Sequence, residues 1–412
     1  MRFIDFIGLG CSFVAAACAG EDWSQFRGPD GQGHSDATGL PQTWSETQNV
    51  KWKTAIPGEG WSSPVVFGPQ VWLATALEDG KSLRAVCVDR DTGKLVHNVE
   101  VFHVAEPAPK HALNSHASPT PVIEQGRVYF FFGMYGAACL NTDTGKIIWK
   151  NTELKHDHGQ NGPGSTPVLY GGLLFLNCDG TELRYVAALD TLTGTLVWKT
   201  PRSNQINKSP ELRKAYATPL IINVNGRDQL ISPGAFRVNA YEPGTGRELW
   251  FCDLPGFSNV PRPVFGHGLV YVCTGYMSSE LFAIRPSGTG DISQTHVAWK
   301  TRKQVSFKPS PLLVGDQLYL VSDSGIASCL NAKTGEPIWS ERLDGEYSAS
   351  PIVADGAIYF FSQQGQTTVI KPDTKLNVVA TNTLAAGFMA SPAVAGKALF
   401  LRTKTHLYRL EK

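Results

Sequence analysis

Five of the chain's ten histidines fall between residues 103 and 158: His103, His111, His116, His156 and His158. The last two flank Asp157 in a His-x-His pattern. Neutral imidazoles beside a carboxylate are the donor set of a divalent metal site. His-x-His supplies only two imidazoles, and no third ligand follows from the pattern. The plainer alternative is a set of loop histidines packing a surface, so no metal is assigned. No G-x-S-x-G, H-E-x-x-H, phosphate-binding loop or placed carboxylate pair occurs, so hydrolysis and phosphoryl transfer have no motif behind them.

A second group of candidates precedes a recurring Pro. The marker is a small residue, then Pro, then apolar residues. It occurs at Ser63-Pro64, Thr120-Pro121, Thr166-Pro167, Thr218-Pro219, Ser310-Pro311, Ser350-Pro351 and Ser391-Pro392, with Arg262-Pro263 as the exception. Just ahead of it stand Trp61, His116, Gly164, Tyr216, Lys308, Tyr347 and Phe388. Together with Asn114, His158, Asn161, Arg237 and Arg262 they are candidate ligand contacts. Aromatic rings beside Arg, Lys and His suit an anionic or planar ligand, or a sugar. Channel plugging and ring closure by the same side chains is the competing explanation.

The elements that must position these residues come from a repeat. A turn ending in Thr-Gly is followed four residues later by Trp: Gly145 and Trp149, Gly194 and Trp198, Gly246 and Trp250, Gly335 and Trp339. His97 and Val379 hold the Trp place in weak copies, and an insertion precedes Trp299. The Pro marker gives eight copies, 40 to 57 residues apart, the period of a four-stranded propeller blade. Within a copy, short apolar runs alternate with Gly and Asp turns, which reads as hairpins. The fold class is therefore all-β, an eight-bladed β-propeller of four-stranded antiparallel blades. After Pro392 only three strands remain, and Asn49–Thr54 carries a Trp strand with no blade of its own. The N-terminal strand is expected to complete the last blade and remove a raw edge.

Cys87, Cys139 and Cys329 stand six residues before their turn Gly, where other copies have Ala188, Ala240 and Ala283. A column that accepts only Ala or Cys is a small buried packing site, so these thiols read as inert. No Cys-x-x-Cys occurs. Net charge is +1 with no dense basic run, which argues against a nucleic-acid partner. Residues 1–19 read as a signal peptide: Arg2, an apolar stretch, then Ala17-Cys18-Ala19. Lipidation at Cys18 is the alternative processing and the sole route to a membrane. Residues 20–49 form an N-terminal extension, and 50–412 the propeller.

With Ala188-x-Asp190 through Gly194 to Trp198 as its clearest copy, the chain resembles the PQQ-like (quinoprotein alcohol dehydrogenase-like) propeller superfamily from about Val50 to Lys412. The segment Trp23–Pro29 resembles the leader of exported planctomycete-type members. The superfamily includes pyrroloquinoline quinone (PQQ)-dependent dehydrogenases and the lipoprotein of the β-barrel assembly machine. The first would imply PQQ with calcium and a vicinal disulfide, and this sequence has no Cys-Cys pair. The second implies envelope-protein partners and no cofactor. The expectation is a periplasmic or secreted monomer acting as a non-catalytic binding or assembly scaffold through its funnel face and the long loops at 97–118, 151–165 and 201–216. A PQQ-dependent alcohol or sugar oxidoreductase and a carbohydrate-binding module remain open. Carboxylates and amides converging on an open cavity would favour the enzyme, and a plugged channel the scaffold.

Overall fold

The short apolar runs pair as hairpins wherever a Gly or Asp turn separates them. The third blade shows the unit: an inner strand Val168–Tyr170, two middle strands Leu173–Asp179 and Arg184–Asp190, and an outer strand Leu196–Pro201, all antiparallel. Eight such sheets form the structure, a computed structural model that describes residues 22–412 except 207, 208 and 278. The signal peptide, Cys18, Asn207 and Lys208 lie outside the described residues.

Register explains the small-residue column. Ala188 lies directly opposite Trp198, Cys139 opposite Trp149, Ala240 opposite Trp250, Ala283 opposite Trp299 and Cys329 opposite Trp339. A small side chain there leaves room for the indole across the strand pair. The six described cysteines are buried and free. Burial pushes the Cys139 thiol up to about 12 and that of Cys329 to about 11, which keeps both protonated.

Each indole then reaches the next blade. The Nε1 of Trp52, Trp149, Trp198, Trp299 and Trp339 donates to the carbonyl of Arg90, Thr191, Pro243, Ala332 and Asp373, at 2.9, 2.9, 2.8, 3.1 and 3.2 Å. Every acceptor lies in the turn between the last two strands of the following blade. Trp250 uses a relay instead: it donates to Gln229 Oε1, whose amide donates to Pro286 O. The insertion before Trp299 supplies Gly290–Asp291, a short parallel strand on the outer edge of the fourth blade. That edge is thereby capped.

Around the channel the Ser/Thr of each Pro marker forms a belt. The amide of Ser63 donates to Thr120 Oγ1, Thr120 to Thr166 and Thr166 to Thr218. On the other side Arg262 donates to Ser310 Oγ, Ser310 to Ser350, and Ser350 to Ser391. Ser391 N then donates to Ser63 Oγ at 3.0 Å and joins the last blade to the first. Val50–Ala55 pairs with His406–Leu410 and completes the last blade, as the sequence predicts. The first long loop begins later than expected. Residues 98–103 keep pairing with the neighbouring strand past two register shifts, so the outer strand runs Leu95–His103 and carries His103.

Candidate functional site

The N-terminal extension occupies the central channel. Trp23 exchanges backbone hydrogen bonds with Val66 of the first blade at 2.8 and 2.9 Å. Ser24 O accepts from Ile123 of the second blade, Gln32 Oε1 from Phe265 N of the fifth, and Gly33 O from Val353 of the seventh. His34–Ser35 runs parallel to Val353–Ala354, and His34 Nε2 lies 2.6 Å from Leu313 O of the sixth. The segment thus touches the inner strands of five blades. A run with three glycines, Gly28, Gly31 and Gly33, can do this because a side chain at Gly31 would collide with the Arg262 guanidinium 2.5 Å away.

Arg262 anchors this plug. It stands where the belt lacks a hydroxyl, and it is 1% exposed. Its Nε donates to Pro219 O, its Nη1 to Phe26 O and its Nη2 to Gln25 Oε1. The sequence placed Arg262 at the funnel mouth, whereas the structure puts it inside the channel with all three nitrogens engaged. Burial lowers its pKa to about 10, and burial plus the charge of Arg262 lowers that of Arg27 to about 9. Both stay cationic at neutral pH. Burial disfavours the Asp30 carboxylate, but the hydrogen bond and charge of His34, the Gln32 amide and the charge of Arg27 together outweigh it and lower the pKa. Where the plug leaves the channel, a cleft of about 600 Å³ separates Asp30, His34 and Asp36 from the turns at His267 and Gly315.

On the opposite face the long loops lock to one another. Asn114 Nδ2 donates to Asn161 O and Pro163 O. Asn161 Nδ2 donates to Tyr216 Oη at 2.9 Å, and Tyr216 N to Asn259 O. The Tyr216 ring lies tilted against His158 with centroids 6.0 Å apart, and His158 meets His156 edge-on at 4.6 Å. Both imidazoles are buried, and neither nitrogen of His158 has a partner among the described residues. Desolvation holds His156 down to about 4 and His158 well below its ordinary value, so both are neutral.

The remaining candidates scatter around this face. Trp61 N donates to Ser115 Oγ, and its ring nitrogen is sealed without a partner among the described residues. His116 Nε2 donates to Ala108 O. Arg237 pairs with Asp253 at 2.6 Å and lies 3.6 Å over Phe251, at the outer strands of the fourth blade. Lys308 pairs with Asp323. Tyr347 is fully buried and donates to Asp344 O. The structure therefore brings Asn114, His158, Asn161 and Tyr216 together, ties Trp61 to Asn114 through Ser115, and leaves Arg237, Lys308 and Tyr347 apart from them. Sequence reasoning missed the plug, whose one signal was the glycine spacing after Arg27.

The quinone expectation can be tested on the donor set. Buried or half-buried acids on this face are committed to cations: Asp179 to Arg202, Glu280 to Arg302, Asp323 to Lys308. Among the described residues, no three His, Cys, Asp or Glu side chains are grouped to hold a metal ion. The described cysteines are all single thiols, so no disulfide is available to cover a quinone. These residues do not fit calcium-held PQQ.

Comparison with known proteins follows the same line. A family model described as outer membrane protein assembly factor BamB matches residues 42–161 and 86–341. Tetrathionate hydrolase of Acidithiobacillus ferrooxidans is 25% identical over 284 residues, 66% of this chain and 51% of the hydrolase. The chain thus spans about half the length of that curated relative. Among solved structures, BamB from Moraxella catarrhalis aligns with a TM-score of 0.62 at 12% identity, over 88% of this chain and 97% of its own. Quinohemoprotein alcohol dehydrogenase from Comamonas testosteroni aligns with a TM-score of 0.67 at 10% identity, over 96% and 81%. At such identities these two likenesses speak for the fold. The family match covers well over half of the chain, and with the eight Trp-docked blades it places this protein in the BamB-type family of PQQ-like β-propellers.

Proposed function

We propose that the protein is an exported, non-catalytic propeller that serves as a binding or assembly scaffold for envelope proteins. One observation carries this reading: the channel is filled by the chain's own Trp23–Ser35 segment, held by Arg262 and by the inner strands of five blades. A plugged axis leaves the loop face and the blade edges as the surfaces that meet a partner. The family's description, an outer membrane assembly factor, supports a partner in the envelope and a periplasmic or secreted location. The leader at residues 1–19 and the choice between cleavage and lipidation at Cys18 belong to the same proposal.

The test is direct. Purified protein is incubated with calcium and PQQ, its absorption spectrum is recorded, and a dye-linked assay is run with alcohols and sugars. The scaffold reading expects no stoichiometric quinone band and no turnover. Quinone uptake with turnover would overturn it in favour of an oxidoreductase.

A further inference from the structure

The plug buries more positive charge than it neutralises. Arg27 and Arg262 lie inside the channel at 0% and 1% exposure, and the charge of Arg262 acts on Arg27. Arg27 also has φ of +66°, in the left-handed region that non-glycine residues seldom occupy. A strained backbone position thus delivers a side chain that is completely buried.

The two guanidiniums are held differently. All three nitrogens of Arg262 donate to oxygen atoms. Arg27 donates through Nη2 to Gln32 O at 2.7 Å, but its Nε and Nη1 have no partner among the described residues. Trp23 Nε1, in the same segment, has none either. The unpartnered buried side-chain atoms of the plug are therefore all N–H donors, and what they lack is an acceptor. A guanidinium does not escape this by giving up a proton at neutral pH.

Charge decides the kind of acceptor. Two acids act on Arg27, namely Asp30 and Cys273. Asp30 is already matched. His34 places Nδ1 2.6 Å from its Oδ2 and Nε2 2.6 Å from Leu313 O, which only a doubly protonated ring satisfies. Burial pushes the Cys273 thiol up to about 12, so it stays neutral. Arg262 donates to two carbonyls and an amide oxygen, none of them charged. Two buried positive charges remain without a counter-ion, and a water molecule would supply an acceptor but no charge. Space sets the size. A Cβ at Gly31 would fall 2.5 Å from the Arg262 guanidinium, and one at Gly33 would fall 2.8 Å from Arg27 Nη2. A monatomic anion suits groups packed this closely.

We propose that the channel holds a halide ion, chloride under ordinary conditions, which accepts from the Nε or Nη1 of Arg27 and locks the plug. The ion is captured as Trp23–Ser35 closes into the ring, so plug and ion stabilise each other. The assignment goes beyond the scaffold reading and does not depend on it.

The experiment uses the full chain at constant ionic strength, with sodium chloride exchanged stepwise for sodium gluconate, whose anion is too large for the site. Trypsin cuts after Arg27 only when the plug opens, so cleavage reports the open fraction. A small chromogenic substrate corrects for any effect of the salts on trypsin itself. Raising chloride from far below its dissociation constant to ten times that value should slow cleavage about tenfold. Crystals grown in bromide should show an anomalous peak within hydrogen-bonding reach of Arg27 Nε or Nη1. Arg27→Gln should remove the halide dependence of the melting temperature, and the bromide peak in the parent protein tests the site even where that variant fails to fold. Equal cleavage in chloride and gluconate, or a water in place of the bromide peak, overturns the proposal.

Discussion

The indole of Trp149 lies over Gly194 of the next blade so closely that a Cβ there would sit 2.5 Å from the ring, while its Nε1 donates to Thr191 O at 2.9 Å. The same contact recurs at Trp52 and Gly93, Trp198 and Gly246, and Trp299 and Gly335. The Thr-Gly turn and the Trp of one repeat therefore do not meet each other. Each of these turns receives the Trp of the blade before it, with His97 in that place at Gly145, and the motif is a device for joining blades.

Gly194→Ala should destabilise the protein by about 2–4 kcal/mol, combining a left-handed backbone with a steric collision. Gly226 has φ of +80° and nothing within 4 Å of a new Cβ, so Gly226→Ala should cost only about 1 kcal/mol. Denaturant unfolding of both variants measures the difference. Equal losses would show that the indole contact contributes little.

Arg262→Ser separates the plug from the belt. Serine restores the hydroxyl found at the other seven markers, but it removes the donors to Phe26 O and Gln25 Oε1. Trypsin should then cut after Arg27, which is fully buried in the parent protein, while the propeller itself remains resistant. Timed digestion followed by mass spectrometry reads this, and an unchanged rate at Arg27 would place the hold on the plug elsewhere.

Ser63→Ala leaves the buried amide of Ser391 without its acceptor at the seam between the last and first blades. The expected loss is about 1–3 kcal/mol. Ser63→Thr should recover most of it, because Thr fills the same role at Thr120, Thr166 and Thr218. Thermal melts of the two variants distinguish hydrogen bonding from packing at the seam.

Acid should loosen the loop face. His156 and His158 are neutral in the fold with pKa values below the ordinary 6.5, so protonation favours the unfolded chain. Their contribution is complete above about pH 6.5 and declines as pH falls through the unfolded value, until His156 itself protonates near 4. At about 1.4 kcal/mol per pH unit, His156 alone accounts for about 3 kcal/mol over that interval. His158→Leu should flatten the melting temperature between pH 6.5 and 4. An unchanged slope would mean that other groups govern the acid response.

The sequence by itself determined the architecture: eight blades, the outer-strand tryptophans, the small residues opposite them and the borrowed last strand. Those features are periodic, and a period survives in one dimension. Even the inert cysteines were legible, because a column of Ala and Cys reports a packing constraint. The candidate site was legible only in part. Asn114, Asn161, Tyr216 and His158 were singled out by type, but their mutual contacts join loops of different blades that share no spacing. Tertiary structure alone decided the plug, where Arg262 meets Phe26 across 236 positions of chain. Such a contact depends on the ring closing around a non-repeating segment, which leaves no periodic trace in the residues.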